Sequence, residues 1–547
     1  MAFYGIPTPG LALTASTAGD TIQLFNNSTA VVSANTIIGL NGNDIINLGA
    51  EGYTASATTN VSTVVTLTAA LSGGSASTII TGSLFGVDVE YKSALTVSGI
   101  ISGATATTLS GSVSVSGVVT SENAVRRIVA SQIFGNQDND SIAFGTELVS
   151  LSASTIGGGA GNDVIGTYTY VNQQWAVAPG LTASTYTNSL IEGGGGNDVI
   201  RLDVSGSITT ATIQGGAGND SILIDAISFD AAQFLGGGDS DVLSGAFGTL
   251  SGSTIAGGGG NDALNISATT GNTMLIAGDV FNVSDSIYDG NDTIQIGFAT
   301  ASSISVQGGG GNDSIVFSAL GGTNYLAGNL GNDTIFIQTG FSASTVYGGA
   351  GNDSILISGG FVGGSLIFGG GDKDTINFAG GDLASGAIFA GTVFGGLGAD
   401  KFQASASAPS AGGTLGVTFG YSAYADSTIS AMDSIAIGTT AASAVYVLDF
   451  VPAGLSLGSF SGSLATGSNG VVTFTSTMDT DVTSRYNVIN ADMTTLGATV
   501  TFKDGAGVNY VFIQGGTSDD LITQVGQTAS GATISLGGGK LITIDTL

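Results

Sequence analysis

Apolar residues recur along this chain in two short registers around a polar loop, and the unit returns about every 21 residues between residues 191 and 403. One apolar side chain stands two residues before each loop, at Ile191, Ile213, Phe234, Ile255, Val306, Leu326, Val346, Ile367 and Val393. Another stands two residues after the aspartate that closes it, at Ile200, Ile222, Leu243, Leu264, Ile294, Ile315, Ile335, Ile355, Ile376 and Phe402. Both flanks continue in period-two alternation, as in Ile222-Leu223-Ile224 and Ile355-Leu356-Ile357, the signature of a short strand. One unit therefore reads strand, loop, strand, second turn. A unit that short cannot bury its apolar face alone, but stacked copies can. The predicted fold is all-β, a parallel β-solenoid with an inward ladder of Ile, Val and Leu and rungs about 4.8 Å apart.

The loops repeat as closely as their flanks: IEGGGGNDVI, IQGGAGNDSI, FLGGGDSDVL, IAGGGGNDAL, SIYDGNDTI, VQGGGGNDSI, LAGNLGNDTI, VYGGAGNDSI, IFGGGDKDTI and VFGGLGADKF. They close on Asp198, Asp220, Asp241, Asp262, Asp292, Asp313, Asp333, Asp353, Asp374 and Asp400, and outlying copies close on Asp44, Asp140 and Asp163. A fixed loop position in a solenoid stacks on itself, so these carboxylates form a column. Neighbours about 5 Å apart repel by about 1 kcal/mol in water and several-fold more at an effective dielectric near 20. The chain has nine Lys+Arg against 40 Asp+Glu, too few cations to neutralise it. A hard divalent cation held by carboxylates and loop carbonyls would, and calcium accepts such irregular oxygen shells. Glycines such as Gly196, Gly218, Gly260, Gly311, Gly331 and Gly351 let the loop backbone turn its carbonyls inward, and Asp239 and Asp372 add carboxylates at the same loop position. One copy reads as a turn, but ten in fixed register read as a binding column.

These residues resemble the glycine-rich nonapeptide family, GGxGxDxUx, known as the hemolysin-type or RTX calcium-binding repeat. The resemblance implies ions lying between equivalent loops of successive turns, shared by their Asp side chains and carbonyls. Family members repeat every nine residues and carry two loops per turn. Here one loop per 20–22 residues predicts a single ion column along one edge. The opposite turns, for example Thr339-Gly340-Phe341-Ser342-Ala343-Ser344, carry no such motif.

Charge and composition narrow the function. The net charge is −31, with no basic patch to neutralise phosphates, so the chain does not read as a nucleic-acid binder. It has no Cys and no His, which excludes disulfide scaffolds, zinc fingers, thiol catalysis and histidine triads. Enzymes that accompany such repeats announce themselves by HExxH or GxSxG. Neither is expected in this chain, so it reads as no enzyme, with a carboxylate-only polysaccharide lyase or epimerase the least favoured alternative. No Lys or Arg precedes Lys92, so the N-terminus does not read as a cleavable secretory signal, and no apolar run is long enough to span a bilayer.

The expected organisation is an N-terminal β segment at 1–50, an inserted β-rich region at 51–130, the solenoid at 131–403 and a strand-rich region at 404–547. A fragment stands at Gly19-Asp20-Thr21-Ile22, and an insertion between Asp163 and Asp198 holds the sole Trp, Trp175. After Phe402 the ladder is expected to stop, with Asp433 a degenerate position and one late copy at 513–522. The tail from Gly537 resembles the uncleaved C-terminal signal of type I secretion found in the repeat family. Glycine/aspartate-repeat surface-layer proteins and oscillin-type surface proteins share these features. The resemblance implies an extracellular, calcium-dependent structural protein that self-assembles into a layer or filament, with a cell-envelope polysaccharide as a further partner. A calcium-dependent adhesin is the alternative.

Overall fold

The computed structural model describes residues 36–39, 42–48, 127–144, 150–166, 185–279, 290–338, 341–358, 361–362, 364–378, 391–404, 417–437, 444–450, 455–476, 478–515, 520–527, 532–537 and 541–546, with strands at 12–14, 21–24, 31–33, 53–60, 76–84, 87–97, 112–119, 168–171 and 174–177. The protein is nearly all β, with a parallel β-solenoid of about 10 turns at about 22 residues per turn. It divides into two compact units, Met1–Gly237 with Ser244–Phe247, and Gly238–Leu243 with Gly248–Leu547.

In the first unit the strands before the loop stack in parallel and in register, so that Ile133, Ile156, Ile191 and Ile213 form one ladder. The strands after the loop do the same with Ile142, Ile165, Ile200 and Ile222. None of these eight is more than 1 % exposed, and each such side chain removed from water contributes about 1.5–3 kcal/mol. Insertions leave the register intact. Ile37 pairs directly with Ile133, although the intervening chain forms a four-stranded antiparallel sheet of Tyr53–Asn60, Ser112–Val119, Val87–Val97 and Ala76–Leu84. Between Asp163 and Asp198 a hairpin pairs Tyr168–Val171 with Gln174–Val177, setting Trp175 opposite Tyr170. Residues 61–75 and 98–111, and the fragment residues Gly19 and Asp20, lie outside the described residues.

In the second unit Leu264, Ile294, Ile315, Ile335, Ile355, Ile376 and Phe402 form the corresponding ladder. It does not stop at Phe402 as the sequence suggested. Ile435 pairs next, then Val525, and on the other strand Val393 is followed by Phe419 and Leu448. Register rather than a glycine loop carries the stack onward. The parallel run ends where Ala444–Phe450 meets Leu541–Thr546 antiparallel, and where Leu521–Gln527 meets Val508–Ile513 antiparallel. These strands occupy hydrogen-bonding groups that would otherwise form an open sheet edge.

Two further expectations for residues 404–547 are corrected. The repeat-like string at 513–522 is not a rung, because Val508–Ile513 and Leu521–Gln527 run antiparallel on either side of it. Its Asp520 accepts Gly515 N–H and the Tyr486 hydroxyl. The region also contains an α-helix, Val482–Asp492. Asp481 caps it by accepting Ser484 N–H at 2.9 Å, and Ile489 with Met493 buries it against Val500, Phe502, Tyr510 and Phe512. Among the described residues no helix is long and apolar enough to cross a membrane.

Candidate cation column

Each loop closes on an aspartate that turns inward, and Asp44, Asp140, Asp163, Asp198, Asp220, Asp241, Asp262, Asp292, Asp313, Asp333, Asp353, Asp374 and Asp400 are all at most 2 % exposed. A carboxylate is seldom buried so completely without a partner. One oxygen of most of these carboxylates accepts a bond from a backbone N–H. In the first unit the backbone N–H of Asp44, Asp140, Asp163 and Asp198 donates to Oδ1 of the aspartate one rung onward, at 2.7 Å in every case. In the second unit the same bond runs from Asp241 through Asp262, Asp292, Asp313, Asp333, Asp353, Asp374 and Asp400 to Asp433, at 2.7–2.9 Å.

Asp433 is therefore the last rung of this column. It is 0 % exposed, and the expectation that it is degenerate is wrong. Its loop lacks the glycine motif, but the register of Ser434 on Lys401 and Ile435 on Phe402 places it.

The second oxygen, Oδ2, is buried without a hydrogen-bond partner in Asp140, Asp163, Asp198, Asp262, Asp292, Asp313, Asp333, Asp353, Asp374, Asp400 and Asp433. It points at the glycine that opens its own loop. A Cβ added at Gly135, Gly193, Gly308 or Gly369 would collide both with that Oδ2 and with the carbonyl oxygen of the matching glycine one rung onward. Only glycine lets a carboxylate oxygen and a carbonyl oxygen from two rungs converge there. Further along the loop, Gly196, Gly218, Gly260, Gly311, Gly331 and Gly351 adopt φ of 105–121°, in the region that favours glycine. Asp239 and Asp372 hold the same place at φ 69° and 72°. Both are exposed, unlike the buried column.

Burial is the main force on these acids. It pushes Asp292, Asp313 and Asp374 up to about 8, the bond from the neighbouring N–H opposes it, and adjacent carboxylates add to it. Asp140, Asp262 and Asp353 rise to about 7 and Asp163, Asp198, Asp333 and Asp400 to about 6 for the same leading reason. Asp433 is raised well above the ordinary carboxylate range by burial and by Asp400.

The donor set suits calcium. It is all oxygen, carboxylate plus carbonyl, with flexible glycine backbone around it. Among the described residues no three acidic side chains converge on one point, so an ion between rungs would draw on the column carboxylates and complete its shell from carbonyls and water.

Two features escaped the sequence reading. Asparagines beside the aspartates form an exposed ladder with the opposite sense, in which Asn162, Asn197 and Asn219 N–H donate to Oδ1 of Asn139, Asn162 and Asn197 at 2.7–2.9 Å. On the opposite edge a residue at positive φ, such as Ala130, Ala153 or Ala343, precedes a buried serine. Ser131 N–H donates to Ser154 Oγ at 3.1 Å, and Ser154 N–H to Ser189 Oγ at 3.3 Å. Each hydroxyl donates back to the carbonyl two residues earlier. The available signal was the small-residue triplet, as in Ser152-Ala153-Ser154 and Ser342-Ala343-Ser344.

Contrary to the expectation that no such motif is present, one GxSxG string does occur, Gly454-Leu455-Ser456-Leu457-Gly458. Ser456 lies on the short strand Ser456–Leu457 paired in parallel with Ala498 and Thr499. That is no strand-to-helix elbow, and the chain has no histidine to act as its base. Compared with protein-family models and with curated proteins, the chain matches none.

Proposed function

We propose that this chain is an extracellular, calcium-dependent structural protein that self-assembles into a cell-surface layer or filament. The buried aspartate column carries the reading, above all the row of Oδ2 atoms that have no protein partner. Asp140, Asp163, Asp198, Asp262, Asp292, Asp313, Asp333, Asp353, Asp374 and Asp400 would hold the ions with the loop-glycine carbonyls. Bound calcium supplies positive charge between the rungs. Because the site does not exist in the unfolded chain, its binding energy becomes folding energy. Extracellular calcium modules bind at about 10⁻⁴–10⁻³ M, so the chain stays open at intracellular calcium and folds outside the cell. Ions also ease assembly: ten at +2 bring the formal charge from −31 to about −11.

Sedimentation at several calcium concentrations tests this. Millimolar calcium is expected to give sheets or filaments that dissolve in chelator before, or together with, loss of fold. A folded monomer at every calcium and protein concentration would overturn the reading.

A further inference from the structure

In the second unit the strands Tyr325–Leu330, Thr345–Ala350, Ser365–Gly371 and Gly391–Leu397 stack in parallel and in register. They contain no Asp, Glu, Lys or Arg. Their inward residues Leu326, Val346, Ile367 and Val393 are fully buried, which leaves the alternate positions on the outer face. That face carries Tyr325, Tyr347, Leu366, Phe368 and Phe394. Tyr325, Tyr347 and Leu366 are 40 %, 37 % and 36 % exposed. Only 9 % of the chain is charged, so it is the run of aromatic side chains, more than the absence of charge, that marks this stripe as an unused surface.

The ring geometry limits what can dock on it. Phe368 and Phe394 stack at 4.9 Å with planes 8° apart, and Tyr347 lies 6.2 Å from Phe368. The next rung has Gly420 in this column, and a side chain there would run into the Phe394 ring. The faces of Phe368 and Phe394 are thus turned along the column towards one another and towards Gly420, while Tyr347 is tilted by 54° to Phe368. A sugar stacks on an open ring face, which the Phe368–Phe394 pair does not offer. Ring edges at rung spacing instead suit a flat, dry surface of the same periodicity. A second copy carries the same spacing, and with −31 on each chain two copies approach at least cost through a face without charge.

We propose that this stripe is a lateral contact between two copies of the chain, packed stripe against stripe in a self-complementary pair. The proposal rests on the self-assembly reading above and names the surface it uses.

The test compares three full-length proteins in saturating calcium by sedimentation: the wild type, Tyr347→Glu with Leu366→Glu, and Tyr347→Ser with Leu366→Ser. Circular dichroism and the number of bound calcium ions confirm that all three are folded. The wild type is expected to pair, the Glu variant to pair at least 100-fold more weakly, and the neutral Ser variant at least tenfold more weakly. Undiminished pairing by both folded variants would overturn the stripe while leaving self-assembly standing. A wild type that never associates would overturn both. A monomeric wild type retained on a neutral polysaccharide matrix, with retention lost in the Ser variant, would replace the second copy with a glycan.

Discussion

The two edges of each rung meet the same backbone need with different chemistry. On one edge Ser154 Oγ accepts Ser131 N–H at 3.1 Å and donates to Ser152 C=O at 2.9 Å. The hydroxyl is neutral and both of its roles are filled. On the other edge Asp163 Oδ1 accepts Asp140 N–H at 2.7 Å, while Oδ2 has no partner. Capping a rung N–H therefore does not require a carboxylate. The end of the aspartate column makes the same point, because Asp433 N–H is capped at 2.9 Å by the hydroxyl of Ser427. The surplus oxygen and its charge are costs that the serine edge avoids. A cation bound between rungs would turn that cost into stabilisation.

Replacing one column carboxylate is the largest expected break in this comparison. Asp313→Asn keeps an acceptor for Asp292 N–H but removes the charge shared by the sites on either side. A site held at 100 times its dissociation constant contributes about 2.7 kcal/mol. Losing two such sites should therefore destabilise the calcium-loaded protein by about 5 kcal/mol in denaturant unfolding. In chelator at pH 8 the sign should reverse, with the variant retaining more β-sheet signal than the parent because a buried charge is gone. No destabilisation in either condition would mean that Asp313 acts only as a cap.

Protons compete for the same oxygens. Asp292, Asp313 and Asp374 rise from 3.8 to about 8 in the folded chain, so between those values the folded state binds more protons than the unfolded state. The resulting stability is complete below about 3.8 and is lost as pH rises through 6–8. The β-sheet signal retained by the chelated protein should accordingly fall between pH 5.5 and pH 8, whereas excess calcium flattens the profile. A chelated protein most stable at pH 8 would contradict this.

On the neutral edge the effects are smaller. Ser154→Ala leaves Ser131 N–H buried without its acceptor, at a cost of about 1–3 kcal/mol. The number of calcium ions bound should not change. The smallest effect belongs to the exposed ladder. Asn332→Ala removes the acceptor of Asn352 N–H, but water replaces it, so unfolding should shift by less than about 1 kcal/mol.

What the sequence disclosed follows the same division. Asp44 to Asp400 were legible because the loop around each must be glycine where two backbones and a carboxylate crowd together, and that demand repeats as spelling. Asp433 was not, because its rung is held by strand register, and its loop of Gly420-Tyr421-Ser422-Ala423 has none of the spelling. The serine edge was hidden because its positive-φ position is filled by Ala130, Asn188, Thr210 or Ser303, and Ala211 or Asn324 stands in places where serine stands in other rungs. The helix Val482–Asp492 presents a single buried residue, Ile489, too little for an apolar stripe to appear. The late string at 513–522 misled for the opposite reason: it has the spelling of a loop without parallel strands on its two sides.

Calcium titrated into chelated protein, with β-sheet circular dichroism and bound calcium followed together, tests the central claim most directly. The account predicts little native signal in excess EGTA, then a cooperative gain of β structure near 10⁻⁴–10⁻³ M calcium as several ions bind per chain. Full native signal in excess EGTA at pH 8, with no calcium taken up afterwards, would contradict it.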